Sequence, residues 1–155
     1  MDPQGHQLAD AQLLRRVEPA SLALIEGAGE ILPVPAGQRL INEGEVPERL
    51  IVLLAGRLEV FAPDPADRSH GRRLATLNPG ASCGEYGFID RRPASASVKA
   101  VEDSDIFAIS TRTFGALIEQ HPEMERIVYR NLLSILVDRL RASNVVIDML
   151  RSAPQ

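Results

Sequence analysis

The sequence predicts a mainly β fold with flanking helices: a compact sandwich, roll or barrel. Three observations predict it. Seven short apolar runs, separated by turn-forming residues, crowd into about 80 residues. The stretches before and after them repeat at helical rather than strand spacing. At 155 residues, with 45% hydrophobic and 25% charged residues, the chain has the size and composition of one ordinary domain, 1–155.

The elements follow in order. A helical lead-in occupies residues 1–30, with helical patterns over Leu8 to Val17 and Pro19 to Glu26. Pro19 suits a first helical position, and Gly27 and Gly29 end the second pattern. Strands are expected at Ile31 to Val34, Arg39 to Ile41, Leu50 to Leu54, Leu58 to Phe61, Leu74 to Leu77, Ala96 to Val101 and Ile106 to Ile109, so that residues 31–110 form the β unit. Turns at Pro35-Ala36-Gly37, Asn42-Glu43-Gly44, Ala55-Gly56-Arg57 and Asn78-Pro79-Gly80 separate them, and Pro63 to Gly71 reads as an exposed hairpin loop. Residues 111–155 return to helix. Thr111 or Ser110 caps a helix running to Gln120, and a break at His121-Pro122 precedes a long helix over Glu123 to Leu150.

On that long helix Tyr129, Leu133, Leu136, Leu140, Ser143, Ile147 and Leu150 alternate spacings of four and three, the seam of a helix packed along another helix. Each large aliphatic side chain left in water forgoes about 1.5–3 kcal/mol. The face is therefore covered by the domain, by a second copy in a homodimer, or by both.

Composition excludes several classes. A net charge of -4 gives no global basic field, so direct nucleic-acid binding is not expected. Cys83 is the single cysteine, which rules out an internal disulfide and cysteine-rich metal or iron–sulfur sites. It lies before a helix start, where a thiol could be redox-sensitive or simply a small buried residue. No apolar run reaches the roughly 20 residues that span a bilayer, and Met1 to Gly5 opens neither a signal nor a transit peptide, so no membrane is implied and the expected location is cytoplasmic. His6, His70 and His121 lack ligand spacing, and no nucleophile elbow, Walker loop or dinucleotide fingerprint occurs. An enzyme is not expected.

The chemistry concentrates in a cassette over residues 83–97, Gly84-Glu85-Tyr86-Gly87-Phe88-Ile89-Asp90 followed by Arg91-Arg92-Pro93-Ala94-Ser95-Ala96-Ser97. Glycines at a helix start admit close approach by a ligand, and free amides there attract an anion. A carboxylate beside them, Glu85, would repel a phosphate but accept hydrogen bonds from a sugar hydroxyl. Together with Gly37, Gly44 and Gly56, the Asn78-Pro79-Gly80 turn and Ser97-Val98-Lys99-Ala100-Val101-Glu102-Asp103, this cassette resembles the cyclic nucleotide-binding domain family, of the catabolite activator and cyclic-AMP-dependent kinase regulatory type.

That resemblance implies a double-stranded β-helix, or jelly-roll-like β-roll, with short N-terminal helices and a long C-terminal one, holding cyclic AMP or cyclic GMP as a regulatory ligand and needing no cofactor. Residue by residue, it implies that Gly84, Glu85 and Tyr86 form the cassette helix, with Glu85 on the ribose 2′-hydroxyl and backbone amides on the phosphate. Ser95 and Ala96 follow the family's phosphate-binding arginine, whose place is taken here by Ala94. Loss of that cation implies binding weakened roughly 10- to 3,000-fold. Arg92 or Arg91 could enter from the adjacent loop, or remain in solvent. Ser143 and Asn144, in Arg139-Leu140-Arg141-Ala142-Ser143-Asn144, resemble the polar residues that meet the purine; Ser143 equally suits a register-setting position in a helix pair. Absence of a helix-turn-helix after Leu150 points to a stand-alone sensor acting through a protein partner, or to the sensor part of a longer transcription regulator; the alternative is a degenerate domain without nucleotide binding that acts as a dimeric scaffold or senses another ligand.

Overall fold

The computed structural model describes residues 8–63, 66 and 71–153. His6, His70 and most of the expected hairpin loop lie outside these residues. Eight antiparallel strands form two four-stranded sheets. They are β1 (Glu30–Val34), β2 (Arg39–Ile41), β3 (Arg49–Ala55), β4 (Leu58–Ala62), β5 (Arg72–Leu77), β6 (Ser82–Cys83), β7 (Ser97–Ala100) and β8 (Ser104–Ser110). One sheet runs β1-β8-β3-β6 and the other β2-β7-β4-β5.

Four helices flank them: α1 (Pro19–Ala28), the short α2 (Glu85–Ile89), α3 (Thr111–Glu119) and α4 (Pro122–Ser152). Pro19 opens α1, and Ser110 caps α3 by accepting a hydrogen bond from the Thr113 amide at 3.4 Å. At the α3–α4 corner His121 donates its Nδ1 hydrogen to the Leu117 carbonyl (2.8 Å).

Two expectations need correction. Over residues 8–17 the chain forms no continuous helix: a helical turn ends at Leu8 and Ala9, and a 3-10 turn follows at Gln12–Leu14. Leu8, Ala11, Leu13 and Leu14 are all buried, and Gln12 donates to the Gly80 carbonyl (3.0 Å), so docking onto the β unit overrides helical spacing. Arg16, at φ 66, then turns the backbone out of the helical region. The second correction is β6, a strand of two residues between Gly80 and Gly84, too short to leave a periodic signal.

Strand β3 divides the core. Its side chains alternate faces. Leu50, Val52 and Leu54 join Leu13, Ile25, Phe114, Val128 and Leu132 in a core under the helices. Ile51 and Leu53 face the interior between the sheets, with Leu58, Cys83, Val98 and Ile106. Helix α4 splits along its length. Met124, Val128 and Leu132 are buried, and Asn131 donates to the carbonyls of Leu13 (2.9 Å) and Arg15 (2.8 Å), pinning the first turns. Of the expected seam, Leu136 packs against this core and Tyr129 against Phe88, whereas Leu133 at 64%, Leu140 at 62% and Leu150 at 72% are exposed.

Candidate functional site

The cassette is a β6–α2 corner followed by a loop that returns as β7. Gly84 sits at φ 85, and a Cβ there would overlap the Arg49 carbonyl, so only glycine lets β6 turn into α2 against β3. One turn on, a Cβ at Gly87 would stand 2.5 Å from the Pro47 carbonyl, which fixes α2 against the loop before β3. Phe88 ties the same helix outward, edge-on to Phe114 of α3 (5.4 Å) and stacked on Tyr129 of α4 (5.9 Å).

Glu85 is 1% exposed. Arg139, from α4, donates to its Oε1 in a charge-assisted hydrogen bond, and the same guanidinium donates to the Ser82 carbonyl at 2.9 Å. Burial alone lowers the Arg139 pKa, but the Glu85 charge and hydrogen bonds to Glu85 and Tyr86 outweigh it and hold the group above its ordinary value. Among the described residues, Glu85 Oε2 and Ser82 Oγ are buried without a hydrogen-bond partner. A buried carboxylate oxygen lacking a donor costs free energy until a hydroxyl or water supplies one.

The remaining candidates divide. Tyr86 is half exposed beside Glu85. Ala94 packs against the inter-sheet core; its amide donates to the Glu45 carbonyl and its carbonyl accepts from the Gly44 amide, both at 2.9 Å. Ser95 and Arg92 are exposed and Ala96 is half-buried. Ser143 donates back to the Arg139 carbonyl (3.1 Å) and Asn144 is exposed, so neither meets Glu85. Cys83 is buried, and desolvation first, then the Glu85 charge, push its thiol well above the ordinary range despite the opposing Arg139 charge. It packs in the inter-sheet core. No cluster that could hold a metal occurs among the described residues.

Arg139 itself is absent from the expected site. Its signal lay in the helix: Met124, Val128, Leu132 and Ile135 form a stripe at spacings of four, four and three, and Arg139 continues it by four. An arginine on a buried stripe needs an anion.

A cleft of about 540 Å³ adjoins the cassette, walled by residues of the β2–β3 segment from Leu40 to Ile51. Neither Glu85 nor Arg139 is among its lining residues.

The cyclic nucleotide-binding domain family matches residues 31–121, from β1 through α3. This chain belongs to the cyclic nucleotide-binding domain family. As a member it is 31% identical over 116 residues to the cyclic AMP receptor protein of Thermus thermophilus, covering 75% of this chain and 51% of that protein. It is 33% identical over 124 residues to a Pycsar effector protein of Xanthomonas perforans, covering 79% of this chain and 37% of that one. The domain thus spans about half the length of these relatives or less. The Thermus thermophilus catabolite activator protein superposes with a TM-score of 0.73 at 28% identity, covering 91% of this chain and 63% of that chain. A cyclic nucleotide-binding domain from Methylobacillus flagellatus superposes at 0.79 with 23% identity, over 98% of this chain and 84% of that one, which shows the shared fold. The β-roll with flanking helices and long C-terminal helix expected from the sequence is therefore the fold observed. No helix among the described residues is long and apolar enough to cross a membrane.

Proposed function

We propose that this domain is a regulatory module that binds cyclic AMP or cyclic GMP, with the ribose on Glu85, and reports occupancy through α4. The observation that carries the reading is the state of Glu85: one oxygen held by Arg139 of α4, the other buried and open to a donor. A ribose hydroxyl donating to Oε2 would complete the carboxylate and alter its bond to Arg139. Occupancy would then bias α4 by the difference in ligand affinity between its positions, and by no more. The Phe88 contacts to Phe114 and Tyr129 supply a second link from cassette to helix.

Ala94 places no cation at the family's phosphate position, which supports weaker binding than an arginine-bearing cassette gives. The exposed Leu133, Leu140, Ile147 and Leu150 support a second copy of the chain as the cover of α4, and a downstream protein as the reader of its position. The roles of Gly84, Tyr86, Ala96, Ser95, Arg92, Ser143 and Asn144 in ligand contact belong to this proposal, as does a cytoplasmic location.

Calorimetric titration of the nucleotide-free protein with cyclic AMP and cyclic GMP up to millimolar concentration tests it. Saturable heat that disappears in Glu85→Ala, and with 2′-deoxyribose analogues of the ligand, is the expected result. No heat and no thermal stabilisation with either nucleotide would reject it.

A further inference from the structure

We propose that Arg49 is the cation that meets the ligand's phosphate in this chain, in place of the arginine missing at position 94; this rests on the nucleotide-binding reading above. Three observations converge on it. Arg49, exposed at the start of β3 on the strand face that Ile51 and Leu53 share, lines the open 540 Å³ cleft. It is bracketed by both ends of the cassette. Its own carbonyl packs on Gly84, and the loop before it is clasped to Ala94 by the Ala94–Glu45 and Gly44–Ala94 hydrogen bonds, 2.9 Å each. Finally, among the described residues its guanidinium has no carboxylate partner, although every other charged group in the cleft is acidic.

Those acidic groups are Glu45 and Glu48. Glu45 accepts from the Asn42 side-chain amide at 3.2 Å, and the Glu48 backbone is held by Thr111, whose amide and hydroxyl both donate to its carbonyl. A phosphate entering beside two carboxylates requires a donor with a full positive charge, and arginine offers a planar fork matched to phosphate oxygens. Arg92, in the cassette loop itself, is not among the residues lining the cleft, and its amide is tied to Asp90 Oδ1 (3.0 Å).

The test is calorimetry on the full 155-residue chain and on Arg49→Gln, Arg49→Lys and, at an exposed position of α3, Arg112→Gln, each titrated with cyclic AMP and with adenosine, which lacks the phosphate. Arg49→Gln is expected to weaken cyclic AMP roughly ten- to hundredfold while leaving adenosine binding as in the native chain. Arg49→Lys, which keeps the charge but loses the planar fork, should fall between the native chain and Arg49→Gln, and Arg112→Gln should change the affinity less than about twofold. Native-like cyclic AMP affinity in Arg49→Gln overturns the assignment and leaves the nucleotide reading intact. A parallel loss of adenosine binding in Arg49→Gln, or a loss of cyclic AMP binding in Arg112→Gln as large as in Arg49→Gln, overturns it as well, since packing or overall charge rather than a local phosphate contact would then be responsible. A native chain that binds no cyclic nucleotide overturns both readings together.

Discussion

Replacing Arg139 by methionine keeps much of the side chain's bulk and removes its charge and donors. Two hydrogen bonds go with it, the ionic one to Glu85 and the one to the Ser82 carbonyl. A hydrogen bond that involves a charged group is worth about 1.5–3 kcal/mol, and both of these use the guanidinium charge. Glu85 cannot escape to water, because its side chain is 2% exposed, whereas Arg139 is 36% exposed and partly screened. Screening lowers the sum from about 3–6 kcal/mol to about 2–3 kcal/mol. For a chain of this size that corresponds to a fall in Tm of about 4–12 °C. Urea denaturation of the native chain, Arg139→Met, Glu85→Gln and the double variant would measure it. The double variant should lose less than the sum of the singles, because Glu85→Gln removes the stranded charge. An Arg139→Met loss below about 0.5 kcal/mol, or strictly additive singles, would refute the argument that α4 anchors on the cassette through a buried charge.

Gly84→Ala forces a Cβ onto the Arg49 carbonyl at a left-handed φ and should destabilise the fold by about 2–4 kcal/mol, read by the same denaturation curves. Leu140→Asp, at a position 62% exposed, should shift sedimentation from dimer to monomer while leaving the far-ultraviolet spectrum unchanged; an unchanged mass removes the α4 seam as an interface. Cys83 should resist a thiol reagent at pH 8 in the folded protein and react fully in denaturant, since burial raises its pKa and the thiolate forms only on unfolding. Rapid labelling of the folded chain would contradict that.

Most strand positions were legible because their signals are local. The Leu50 to Leu54 run became β3 over Arg49–Ala55, and the turns at Gly37, Gly44 and Gly56 stand where backbone φ is positive. Local signals failed where tertiary packing decides. Residues 8–17 carry helical spacing, yet they fold as turns because Leu13 and Leu14, adjacent in sequence, are both buried. At the site, Glu85 stood out through the cassette's likeness to the family rather than through its glycine neighbours alone, and its burial had no signal of its own. The Arg139 bond to it joins residues 54 apart, a distance no spacing rule spans. The Ser143 hydroxyl bond is local instead: it is made within its own helix, an alternative open to any mid-helix serine.

Anchoring of α4 ends near the cassette, and this gives the helix the geometry of a lever. Its fulcrum is the buried stretch around Leu132, its load point is Arg139 on Glu85, and its free arm runs on to Ser152. From that fulcrum the arm is about 30 Å long, so a tilt of about 10° displaces its tip by roughly 5 Å. A rearrangement of one carboxylate, too small to register inside the β-roll, would thus reach the surface as a movement comparable in size to a side chain.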